Sequence, residues 1–105
     1  MNIIYIELRK TYYYKAFFNV RMVYQHLFGD NGEVINIQIG LDRVTLLGRI
    51  SRELTVNRNG TPRIYVENQY KEIYLQWVQA NYTLGDQMKA EIVSPKFIIL
   101  YAKGE

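Results

Sequence analysis

The sequence predicts a mainly β fold with two short helices, a seven-stranded open pseudobarrel, and three observations lead there. Apolar and polar residues alternate over residues 2–8 and through Ile35, Ile37 and Ile39, the period of half-buried strands. Turn residues punctuate the chain at short intervals: Gly29, Asn31-Gly32, Gly40, Asn59-Gly60, Gly85-Asp86 and Ser94-Pro95. An apolar strand, a short helix, a Gly-Asp turn and an alternating strand follow one another over 17–39 and, in a gapped echo, over 73–92. Two related halves closed into one barrel would leave few exposed sheet edges; chance similarity of turn residues gives the same echo.

Residues 2–8, rich in isoleucine and tyrosine, form the first strand. The charged RKTYYYK of 9–15 interrupts the pattern and 16–20 resumes it, which reads as a hairpin with a decorated tip. Over 21–28, Val23 and Leu27, and Tyr24 and Phe28, recur at i and i+4, so this segment is a short helix stopped by Gly29. Residues 33–39 are a half-buried strand broken by Gly40, and 42–50 the strand that returns from it. Residues 51–61, with Asn59-Gly60 before Pro62, resemble a hairpin tip, and 64–66 the strand that follows. Residues 72–75 read as a short strand and 76–82 as a helical turn or two bearing Trp77, Val78 and Tyr82; one helix from Tyr70 onward is the competing reading. Residues 88–93 and 97–102 are the last strands.

At 105 residues the chain is expected to be one domain, 1–105, and hydrophobic residues at 49% supply enough apolar mass for a core. It has no cysteine and one histidine, so disulfides, thiolate nucleophiles and multi-histidine metal sites are excluded and no cofactor is expected. The apolar run of 97–102 is far short of the ~20 residues that span a bilayer, so no membrane association is expected. Residues 1–10 lack the pattern of a secretory leader, which makes a cytoplasmic address the expectation.

The net charge of +3 hides a segregation. Residues 9–21 carry Arg9, Lys10, Lys15 and Arg21 with no acid, and 43–63 carry five arginines with only Glu53. Each stretch is +4, together +8, so the rest of the chain is −5. A polyanion-binding surface built from two stretches on an acidic body gives this split. Two solvated basic loops making surface ion pairs give it as well.

Duplex recognition needs cations for phosphates and planar donors for base edges, with arginine suited to guanine and asparagine to adenine. The second stretch offers Arg49, Arg52, Asn57, Arg58, Asn59 and Arg63; the first offers Arg9, Lys10, Lys15 and Arg21 beside Tyr12, Tyr13 and Tyr14, whose hydroxyls can bond phosphate and whose rings can stack. In a strand, alternate tyrosines face opposite sides, so at least one of these belongs to the core. The catalytic inventory is poor. Asp30 with Glu33, or Asp86 with Glu91, resembles a carboxylate pair, but no lysine follows at nuclease spacing and Gly-Asp is better explained as a turn. His26 has no base or nucleophile beside it, and Trp77 and Tyr82 read as core residues. The Asn-X-Thr triplets at Asn59 and Asn81 are too short a pattern to carry meaning.

The order of strands, basic tips and helices resembles the B-three DNA-binding pseudobarrel of plant transcription factors and of the effector domains of some bacterial restriction endonucleases. The resemblance covers nearly the whole chain and is densest in RIYVENQYKEIYLQWVQANYTLGDQMKAEIV, 63–93, with its aromatic strand, Trp helix and Leu84-Gly85-Asp86 turn. It implies two arms clamping the major groove, falling on 9–15 and 49–63. A long arginine-rich second arm, and no proline at 19–22, depart from the plant pattern and favour the bacterial branch. Swapped-hairpin regulators of the antitoxin type are similar too, but they are dimers of one half, whereas this chain holds both.

The expectation is therefore sequence-specific binding of double-stranded DNA by a monomer that catalyses nothing itself; any associated nuclease domain lies outside these residues or in a partner. Two other readings stay open: a single-stranded nucleic-acid binder stacking bases on tyrosines, and a phage or bacterial interaction module whose basic loops dock on an acidic protein.

Overall fold

The computed structural model describes residues 2–40, 44–53 and 61–105. Within them seven strands form one sheet: β1 (Asn2–Glu7), β2 (Phe17–Asn19), β3 (Val34–Ile39), β4 (Val44–Ser51), β5 (Arg63–Val66), β6 (Gln87–Ser94) and β7 (Phe97–Leu100). Their order is β1-β6-β7-β3-β4-β5-β2, with every neighbouring pair antiparallel except β3 and β7. The sheet curls into a nearly closed barrel, mainly β as the alternation predicts, whose two edge strands, β1 and β2, flank an open seam.

Alternation along each strand fills the interior. Ile4, Ile6, Ile35, Ile37, Leu46, Ile50, Ile64, Met88, Ile98 and Leu100 are all buried, and each such side chain stabilises the fold by roughly 1.5–3 kcal/mol. Gly48 in β4 is a packing requirement: a Cβ there would lie 2.7 Å from the Tyr65 carbonyl oxygen and 2.7 Å from Ile37 Cδ1. Its bare backbone lets β4 press against β5 and against Ile37 together.

Helix α2 (Lys71–Asn81) packs on the barrel through Tyr74 and Val78, buried at i and i+4. The strand expected at 72–75 is thus the first turn of this helix, and the competing reading from Tyr70 onward is the better one. The residue types explain it: 71–81 holds no glycine or proline, and a helical period buries Tyr74 while leaving Ile73 exposed. The second unit of the internal echo accordingly begins at β5, so the repeated order is strand, helix and hairpin in β2 to β4 and in β5 to β7.

Two further expectations are corrected. No hairpin forms over 9–15, because β1 pairs with β6 and β2 with β5, at opposite edges of the sheet. The connection instead forms helix α1 (Lys10–Tyr14), docked where the Tyr13 hydroxyl donates to the Tyr82 carbonyl at 3.0 Å and Gln79 Nε2 donates to the Tyr13 carbonyl at 3.0 Å. The helix over 21–28 is a 3-10 helix, Met22–Leu27. Tyr24 and Leu27 pack on the core with the buried Phe28, so the Tyr24–Phe28 pair faces inward as expected, while Val23 is exposed and its pairing with Leu27 is lost.

Candidate functional site

β5 lies between β4 and β2 in the sheet. Arg49 pairs with Tyr65 and Tyr65 with Phe17; one row along, Ser51 pairs with Arg63 and Arg63 with Asn19. Ile50, Ile64, Val66 and Phe18 point into the core, so the pleat turns these two rows outward.

Arg63 is the centre of this face. Its guanidinium carbon lies 4.6 Å from the Phe17 ring centroid and 5.8 Å from that of Tyr65, its Nε donates to Asn19 Oδ1 at 2.7 Å, and its Nη1 donates to the Tyr65 hydroxyl at 3.3 Å. Tyr12 of α1 extends the aromatic surface by meeting Phe17 edge to face, 5.8 Å between centroids. Cation–π contact and one strong bond hold the guanidinium plane without neutralising it. Among the described residues no carboxylate pairs with Arg63.

The other arginines of this stretch are used differently. Arg52 donates from Nε to the Gly29 carbonyl at 2.8 Å and from Nη2 to those of Gln25 at 2.6 Å and Phe28 at 3.0 Å. It gathers three carbonyls at the end of the 3-10 helix, adding a donor to that of Gln25, which also accepts from the Phe28 N–H at 3.4 Å, and bonding those of Phe28 and Gly29 beyond it. Arg49 bonds Glu67 Oε1 and the Gly32 carbonyl, each at 3.1 Å. Asn57, Arg58 and Asn59, with the Asn59-Gly60 turn, lie outside the described residues.

In the first stretch, Lys10, Lys15 and Arg21 are exposed and make no ion pair among the described residues, whereas Arg9 pairs with Glu7 at 3.3 Å. Tyr14 is exposed and meets Tyr13 edge to face. The three tyrosines sit on a helix, so their sides are set by the helical turn instead of strand alternation: Tyr12 and Tyr13 pack against the core cluster and Tyr14 does not. The strand register separates the two stretches. Residues 8–16 enter β2 at Phe17, opposite Tyr65, while Thr61 and Pro62 lead into β5 at Arg63, opposite Asn19. The described residues that lead into the face thus reach it from opposite ends, Lys15 ahead of Phe17 and Pro62 ahead of Arg63, with Arg21 beyond Asn19 on the Pro62 side.

Phe17, Asn19 and Tyr65 escaped the sequence reading. The available signal was the i, i+2 spacing of Arg63 and Tyr65 and of Phe17 and Asn19, but only the β2–β5 pairing brings the two pairs together. Asp86 and Glu33 brace turns, whereas Glu91 sits within β6 and accepts from the Tyr101 hydroxyl at 2.6 Å. Asp86 accepts from the Thr83 N–H at 2.8 Å and from Lys103 at 2.9 Å, which hold its carboxyl below the usual range; Glu33 is lowered by the Asp30 N–H and by Lys96.

No protein-family profile matches the chain, and no curated protein matches it in sequence. Among solved structures, the N-terminal domain of Helicobacter pylori LlaJI.R1 is similar in fold, with a TM-score of 0.66 over 96% of this chain and 79% of that one, at 13% sequence identity.

Proposed function

We propose that this chain binds double-stranded DNA with sequence preference, as a monomer and without chemistry of its own, through the outer face of β2 and β5 and the two basic stretches. The observation that carries the reading is Arg63, a guanidinium with no carboxylate partner among the described residues, held in a fixed plane on Phe17 and Tyr65 and bonded to Asn19. A bidentate contact to a guanine edge needs such a fixed approach, while Lys10, Lys15 and Arg21 have the exposure that phosphate contacts need. The likeness in fold to the N-terminal domain of Helicobacter pylori LlaJI.R1 fits a recognition module whose nuclease is a separate domain or partner.

Selection from a random duplex pool, followed by titration at several salt concentrations, tests the proposal. The expected plot of log K against log salt has a slope on the order of −4. A flat plot overturns the nucleic-acid reading, and equal affinity for the single strands overturns the duplex one.

A further inference from the structure

The seam between β1 and β2 is a cleft of about 380 Å³, lined among others by Tyr5, Glu7, Arg9, Tyr12, Asn19 and Arg21. That volume is at the low end of the range for small-molecule sites and far too small for a duplex. Its chemistry is mixed in a specific way. Tyr5 is 51% exposed on an edge strand, so its ring is available for stacking, and Tyr12 is held against Phe17. Arg21 brings a cation with no ion pair among the described residues, Arg9 across the seam shares its charge with Glu7 at 3.3 Å, and Asn19 offers an amide able to bond a heterocycle edge.

The geometry points to a site for one nucleotide unit, its base stacked on tyrosine and its phosphate met by arginine. Base–aromatic stacking with a cation for the phosphate is how single nucleic-acid units are held without duplex geometry. The inference rests on the nucleic-acid reading above and adds a pocket to it: Asn19, which braces Arg63, also lines the cleft, so the duplex face and the seam are continuous. Two sources supply the same ligand chemistry, an unpaired nucleotide drawn from bound DNA and a free mononucleotide.

Two titrations of the intact chain separate them. In one, a duplex carrying 2-aminopurine opposite an abasic position is added, with base emission and duplex anisotropy recorded together. In the other, 5′-mononucleotides are added and backbone amide shifts followed by NMR. An emission change, or amide shifts clustered at 5–9 and 19–21, is expected. Tyr5→Ala should weaken the effect by about tenfold, the loss of one base–aromatic stack. Tyr5 points outward, and a retained amide spectrum verifies that the variant folds; Arg21→Ala is the second variant, expected to weaken binding of mononucleotides more than of the free nucleosides. Duplex binding with neither signal overturns the seam site and leaves the duplex reading standing. Mononucleotide shifts without duplex binding do the reverse. Equal responses from wild type, Tyr5→Ala and Arg21→Ala also overturn the seam site.

Discussion

The Arg63 guanidinium carbon stands 4.6 Å above the centre of the Phe17 ring, a contact between the first residue of β5 and the first of β2. It joins the two basic stretches of the sequence, because Phe17 lies within the first and Arg63 ends the second. Arginine held this way keeps its charge and loses little further freedom when it meets a planar acceptor.

Arg63→Ala is accordingly expected to cost about 1–3 kcal/mol on the preferred duplex and much less on a scrambled one. Arg63→Lys keeps the charge without the planar fork, so it should restore affinity for the scrambled duplex but not the preference. Fluorescence anisotropy on the two duplexes checks both. Equal losses on both duplexes would make Arg63 an electrostatic anchor.

Arg52 gives the opposite pattern, since its donors are already engaged by backbone carbonyls at the end of the 3-10 helix. Arg52→Ala leaves those acceptors short of partners and should lower stability by about 1–3 kcal/mol in urea denaturation. The salt slope of DNA binding should change by much less than one unit. A large fall in slope with unchanged stability would move Arg52 to the binding surface.

At Gly48 an added methyl meets the Tyr65 carbonyl, which is backbone and has little room to yield. Gly48→Ala should destabilise by about 1–3 kcal/mol, and the shift of β5 should weaken duplex preference at temperatures where the chain remains folded. An unchanged urea midpoint would show that β4 and β5 separate easily at this point.

Asp86 and Glu33 couple stability to acid pH. Both carboxyls are lowered in the folded chain, Asp86 by the Thr83 N–H and Lys103, Glu33 by the Asp30 N–H and Lys96, from ordinary values of 3.8 and 4.5. A group that ionises more easily when folded adds stability that is fully present above its unfolded value and is lost as pH falls through its folded one. The urea midpoint should hold steady above about pH 5 and fall below it. Asp86→Asn should be less stable at neutral pH and shallower in its acid decline. An identical decline would remove Asp86 as a contributor.

Much of the barrel was legible because a strand with one buried face must alternate. Ile35, Ile37 and Ile39 declare both the strand and its inward side, and Gly85-Asp86 and Ser94-Pro95 declare turns through their backbone preferences. The charge segregation into 9–21 and 43–63 was likewise legible, being a property of the chain order. The helix at 71–81 was harder, because Ile73, Tyr74 and Leu75 form an apolar run that suits either period until packing selects Tyr74 and Val78 for burial.

The sequence by itself determined a β-rich fold with a core on alternate positions, the absence of cysteine chemistry, and two basic stretches on an otherwise acidic chain. Tertiary structure alone decided what each cation does. Strand pairing is non-local, so nothing near Arg63 in sequence announces Phe17 or Asn19, and nothing near Arg52 announces the carbonyls of Gln25, Phe28 and Gly29. Two arginines alike in composition thereby differ in surroundings: one bonds backbone carbonyls at a helix end, and the other stands on aromatic rings with no carboxylate partner among the described residues.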